Sequence, residues 1–153
     1  MSPPPPALDI DTAARLRASI GKLSRRLRPT AAGAAAGLTP TRISVLFTIA
    51  RRGPIRLSEL AEEEGLNPTM LSRVIADFAD SSLVTRVCDP DDRRAALVQA
   101  TAAGRKLCAR MRAERTDVLE VALAALDDDE RRAVERALPV LEQLAHGLNG
   151  RRG

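Results

Sequence analysis

Apolar positions recur at helical spacing through most of this chain and gather into short strand-like runs in only one segment. From about Asp9 to Arg28, the residues Ala13, Leu16, Ile20, Leu23 and Leu27 fall on one side of a predicted helix. The stretch RPTAAGAAAG that follows reads as a connection. A second helix starts at Thr39-Pro40. Threonine accepts from free N–H groups at a helix start, and proline is tolerated at the first helical position. Ile43, Leu46, Phe47 and Ala50 share its apolar face, and Gly53-Pro54 ends it.

LSELAEEEG predicts a short helix with Ser58 as its cap and Gly65 as its C-terminal stop. Asn67-Pro68 repeats the cap-then-proline signal. The helix it opens runs from Pro68 to about Ser81 and turns Met70, Leu71, Val74, Ile75 and Phe78 inward. Its opposite face carries Thr69, Ser72, Arg73, Ala76 and Asp80. Two short helices joined by the turn Gly65-Leu66-Asn67 make a helix-turn-helix outline. LVTRVC and ALVQAT then flank DPDDRRA as two short strands, and a hairpin in that place is a wing. Thr101 caps a long helix to about Ala125, with Leu107, Met111, Val118 and Ala122 as its stripe. Asp127 and Glu130 open the last helix in the manner of a capping box, and its buried side is Val134, Leu138, Leu141, Ala145 and Leu148. Pro3 to Pro6 form an extended or flexible tail. No internal repeat is present.

Composition agrees with a mainly α chain. The 153 residues suit a single domain with extensions, and 44% of them are apolar, enough for a core. Phe47 and Phe78 are the only aromatics, so the core must be aliphatic, which favours helices. Lys22 and Lys106 are the only lysines, and arginine carries the remaining positive charge. The net charge of +4 divides as +8 over residues 1–56, −5 over 57–100 and +1 over 101–153. A nucleic-acid surface must therefore come from a few placed arginines, not from a bulk positive field.

Several function classes find little support. Cys88 and Cys108 form no C-x-x-C pair, so neither a disulfide framework nor a metal motif is indicated. A single histidine, His146, near the end of the chain offers no Ser-His-Asp or Cys-His arrangement. No glycine-rich phosphate loop occurs, and Asp127 to Glu130 are better explained as a helix start than as a metal site. The expectation is a protein without enzymatic activity, cofactor or metal. With no apolar run long enough to span a membrane and no signal-peptide pattern, the expected location is the cytoplasm.

DNA-binding chemistry fits two places. A helix entering a major groove needs slim residues for close approach and a long donor for base edges, which Thr69, Ser72 and Arg73 supply. Taken alone, that face is better explained by ordinary solvation, because most polar helix faces only solvate. In DPDDRR, the acids can order the turn and orient an arginine, and an arginine at a wing tip can enter a narrow minor groove. A charged turn that merely keeps the hairpin soluble is the alternative.

Taken together and in this order, residues 39–104 resemble the winged helix-turn-helix core of the MarR family of bacterial transcription regulators. The segments that carry the resemblance are LTPTRISVLFTIA and LSELAEEEGLNPTMLSRVIADFADSSLVTRVCDPDDRRAALVQATAAG. In the family the wing reads Asp, Pro, one variable residue, Asp, Arg, Arg, as Asp89 to Arg94 do here, and a threonine shortly before a glycine opens the next helix, as Thr101 to Gly104 do. The resemblance implies a mainly α fold with a small β-hairpin wing, and N- and C-terminal helices that form a dimerisation region. It divides the chain into a flexible tail (1–8), an N-terminal dimerisation helix and connection (9–35), a winged helix-turn-helix domain (36–101) and C-terminal dimerisation helices (102–150).

The resemblance further implies a homodimeric repressor on a palindromic promoter site in double-stranded DNA, released by a small-molecule effector. The helix opened by Pro68 becomes the recognition helix, with Thr69, Ser72 and Arg73 nearest the DNA. Arg93 and Arg94 belong to the wing, one in the minor groove and the other on phosphate or paired with Asp92. Ser58 becomes a phosphate donor. The family's pockets often use aromatic or histidine side chains, which are scarce here, so any effector site should be aliphatic and arginine-lined. Two rival readings remain. One is a thiol-based redox sensor acting through Cys88 or Cys108. The other is a winged helix that docks proteins without specific DNA binding.

Overall fold

The computed structural model describes residues 10–90 and 96–149. The chain divides into two compact units, one ending at Arg115 and the other beginning at Thr116. The first unit contains α1 (Ile10–Leu27), α2 (Ala31–Ala35), α3 (Pro40–Arg52), β1 (Ile55–Arg56), α4 (Leu57–Glu64), α5 (Pro68–Asp80), β2 (Val84–Cys88) and β3 (Ala96–Ala100). α6 (Ala102–Ala124) begins in this unit, and α7 (Asp128–Asn149) lies in the second.

Local signals account for most boundaries. The Thr39 side chain accepts from the Arg42 N–H, and Pro40 takes the first position of α3. Asn67 accepts from the Thr69 N–H at 2.8 Å, with Pro68 beginning α5. Gly65 closes α4 in the left-handed conformation at φ 63°, where a Cβ is disfavoured. Asp127 and Glu130 form the reciprocal capping box: the Glu130 N–H donates to the Asp127 carboxylate at 2.8 Å, and the Asp127 N–H donates to the Glu130 carboxylate at 3.1 Å.

Four expectations are corrected. The stretch read as a connection contains α2, which Thr30 caps by accepting from the Gly33 N–H at 3.1 Å. The Glu114 carboxylate on α6 also accepts from the Ala32 N–H, at 3.1 and 3.2 Å. A bond from 82 residues away cannot be read from local pattern. The hairpin gains a third strand: the sheet has order β1-β3-β2, all antiparallel, with Ile55 opposite Val98 and Val87 opposite Leu97. Met70 is exposed, not inward-facing. Finally, Val118 on α6 and Val134, Leu138, Leu141 and Ala145 on α7 are exposed in the single chain, as is Ala122.

The core of the first unit is aliphatic apart from Phe78. Leu46, Ile49, Ile55, Leu60, Leu71, Ile75, Val98, Cys108 and Met111 are all fully buried around it. α5 therefore rests on the core through Leu71, Val74, Ile75 and Phe78, which leaves its other face to solvent. The junction of β3 and α6 is tied to the end of α5. The Thr101 hydroxyl donates to the Ser82 carbonyl at 2.6 Å and accepts from the Gly104 N–H at 3.0 Å, while the Thr101 N–H donates to the Leu83 carbonyl at 3.0 Å. No helix among the described residues is long and apolar enough to cross a membrane.

Candidate nucleic-acid interface

The outward face of α5 is the chemically distinctive surface. Pro68, Thr69, Ser72 and Arg73 are all exposed on or beside its first turn. Free N–H groups and the helix dipole make this end of α5 electropositive. α3 is pinned beside it by the ion pair between Arg42 and Asp77. Between the two helix starts lies an open groove of about 690 Å³, lined by Thr39, Thr41, Arg42, Asn67, Thr69, Met70, Arg73 and Val74. That lining combines threonine hydroxyls and two guanidinium groups with the apolar side chains of Met70 and Val74. Among the described residues, Arg73 has no hydrogen-bond or ion-pair partner, so its donors remain available.

Ser58 is exposed but does not cap α4. Leu57 is already helical, so Arg56 takes the cap position and makes no side-chain cap bond. The reason is the short strand β1, which runs straight into α4 and moves the helix start back by two residues relative to the expected cap. Arg56 instead reaches across the sheet to Asp89, with Nε and one terminal nitrogen donating to a single carboxylate oxygen at 2.8 and 2.6 Å. The Asp89 side chain is only 5% exposed. Sequence reasoning treated Asp89 as a turn residue and missed Arg56, because the pair is 33 residues apart and meets only through the pairing of β1 with β3. Asp92, Arg93 and Arg94 lie outside the described residues.

A second concavity of about 710 Å³ opens between α1, α3, the end of α4 and α6. Leu27, Ile43, Phe47 and Leu66 supply its apolar wall, and Arg28 and Arg115 its charge. The guanidinium carbons of Arg112 and Arg115 each lie 5.0 Å from the centre of the Phe47 ring, within cation–π range. Among the described residues, the buried Arg115 Nε has no hydrogen-bond partner.

The two thiols differ. Cys88 is exposed at the end of β2. Cys108 is buried, with its sulfur 3.8 Å from the Leu46 carbonyl oxygen. Burial pushes the Cys108 thiol up, and the nearby Arg112 and Arg115 offset this only in part. Since the thiolate is the reactive form, iodoacetamide should label Cys88 in the folded protein and Cys108 only after denaturation. Peptide mass spectrometry checks this; equal labelling of both in the native protein would contradict the burial of Cys108. His146 is exposed, with its Nδ1 2.8 Å from the Glu142 carbonyl oxygen of its own helix.

The comparisons with known proteins agree with this geometry. The sequence profile of the MarR family matches residues 38–96. An HTH-type transcriptional regulator of Mycobacterium bovis is 32% identical over 133 residues, covering 87% of this chain and 92% of that one. A transcriptional regulator of Thermotoga maritima has the same fold, with a TM-score of 0.79 at 20% identity over 94% of this chain and 99% of the other. A mutant of S. aureus MepR, solved bound to an oligodeoxyribonucleotide, superposes with a TM-score of 0.65 at 14% identity, covering 89% and 99% of the two chains. The relative's name describes a transcriptional regulator, not an enzyme. By sequence and by fold, the chain belongs to the MarR family of DNA-binding transcriptional regulators.

Proposed function

We propose that the protein is a homodimeric repressor that occupies a palindromic promoter site. The observation that carries this reading is the exposed, electropositive start of α5 with Thr69 and Ser72, beside which Arg73 stands uncommitted. In this reading α5 enters the major groove, with Arg73 on a guanine edge and Thr69 and Ser72 on bases or phosphate. Pro68 and Ser58 lie close to the backbone, and Asp92, Arg93 and Arg94 serve the wing. Two copies of α5 then contact half-sites about one helical turn apart.

The dimer reading rests on exposed apolar residues. Ile20 and Leu23 on α1, and Val118, Val121, Leu138, Val140 and Leu144 on α6 and α7, are each about half or more exposed in the single chain. Helices of this kind need a partner surface, which a second copy supplies. The N-terminal helix and the C-terminal helices are accordingly assigned to dimerisation, and residues 36–101 to DNA binding. The pocket that holds Arg28, Arg115 and the unpartnered Nε supports release by a small anionic effector with an apolar body. Such a ligand acts by favouring a spacing of the two recognition helices that no longer matches the half-sites.

Binding of the purified protein to genomic fragments, followed by sequencing of what is retained, tests the reading. On a recovered site, Arg73→Ala and Arg94→Ala should each weaken binding by roughly 5- to 150-fold, the range for one good base or groove contact. The logarithm of affinity should fall linearly with the logarithm of salt concentration, with a slope that reports several phosphate contacts. Unchanged affinity in both variants would favour a protein-docking winged helix instead.

A further inference from the structure

We propose that Met70 reads sequence directly, by packing against the 5-methyl group of a thymine in the major groove. The assignment rests on the DNA-binding reading above and names a residue that the sequence pattern places in the core. Met70 is 47% exposed, whereas its neighbours Leu71 and Val74 are 1% and 4% exposed. Single exposed apolar side chains are ordinary on protein surfaces, so what assigns Met70 to a partner is its place: the first turn of α5, in the groove beside Arg73.

Its surroundings narrow what that partner is. Among the described residues, every other exposed large apolar side chain lies on α1, α6 or α7, so Met70 stands alone on α3, α4, α5 and the sheet. It is flanked in the groove by Thr39, Thr41, Arg42, Thr69 and Arg73. The groove wall mixes apolar surface at Met70 and Val74 with three threonine hydroxyls and two guanidinium groups. The guanidinium groups suit a polyanion, and double-stranded DNA presents one apolar group in its major groove, the thymine methyl. Methionine suits the contact, since its unbranched thioether adapts to an irregular surface. Arg73, three residues further on, shares the same side of α5, so the two side chains reach neighbouring positions of one half-site. Methionine thus supplies thymine selectivity beside the arginine's guanine selectivity.

The test uses the full chain and a duplex recovered from a random-sequence DNA pool. Each thymine of the half-site is replaced in turn by deoxyuridine, which removes only the methyl group. For the unaltered protein, one replacement per half-site should weaken binding about fourfold, the effect of withdrawing one buried methyl from an apolar contact. Met70→Ala should bind the thymine duplex more weakly by a similar factor and be indifferent to that same replacement. Met70→Leu should retain the methyl preference, and Met70→Gln should lose it. Unchanged thermal melting of the variants separates reading from folding. If the unaltered protein and Met70→Ala respond equally to every replacement, the assignment of Met70 is wrong while DNA binding stands. If no duplex is recovered at all, the DNA-binding reading fails and this assignment fails with it.

Discussion

Gly104→Ala should lower the melting temperature by roughly 5–10 °C, against the ordinary preference of helices for alanine. Gly104 lies in the first turn of α6, where replacing glycine by alanine normally stabilises a helix by about 0.5–1 kcal/mol. Here a Cβ would stand 2.1 Å from the Leu83 carbonyl oxygen and 3.1 Å from its carbon. Both are main-chain atoms. That same oxygen accepts from the Thr101 N–H at 3.0 Å, so moving it away disturbs a further bond. Overpacking of this kind costs about 1–3 kcal/mol or more and outweighs the helix preference. Thermal unfolding followed by circular dichroism decides the matter: a melting temperature equal to or above that of the parent would mean that α6 and the turn at Leu83 separate easily. Because this turn joins α5 to β2, weakened DNA binding should accompany the loss of stability.

The double substitution Leu138→Glu with Leu141→Glu should produce a folded monomer that binds the DNA site at least about 100-fold more weakly. Both residues lie on one side of α7, at 48% and 38% exposure, with Val134 and Leu144 along the same helix. Charges there cost the single chain little, since the positions already face water. In a dimer they would be buried opposite an apolar surface, which is strongly unfavourable for an unpaired carboxylate. Loss of the dimer turns two linked half-site contacts into one, and the linkage supplies the factor. Sedimentation velocity and a binding titration read the two effects separately. A variant that remains dimeric would remove this face of α7 from the interface. Retention of full affinity by a monomer would show that one half-site suffices.

The elements that sequence reasoning recovered share a physical property: each is set by groups a few residues apart. Thr39 and Asn67 reach N–H groups two or three positions on, Asp127 and Glu130 satisfy one another across one turn, and Gly65 closes α4 by its own backbone. The face of α5 that holds Leu71, Val74, Ile75 and Phe78 follows from the 3.6-residue repeat alone. The helix-turn-helix, the hairpin strands and the exposed triad Thr69, Ser72 and Arg73 were legible for that reason.

What escaped depends on distant partners. α2 is too short to persist on intrinsic preference and is held by the Glu114 carboxylate from α6. The two-residue strand β1 exists because β3 offers a free edge, and its presence moves the start of α4 so that Ser58 is not a cap. Arg56 meets Asp89 only across that sheet. Met70 shows the limit most clearly. Periodicity places it beside the apolar stripe, but position 70 sits at the margin of that stripe, and only the open groove between the starts of α3 and α5 shows that the margin faces water. Sequence alone was enough for six of the seven helices among the described residues, the caps at Thr39, Asn67 and Asp127, the family and the residues of the exposed α5 face, because near neighbours and one-dimensional periodicity are written locally. The tertiary structure alone decided which borderline side chains are exposed and which charges meet. Burial is a property of surfaces brought together from separate parts of the chain.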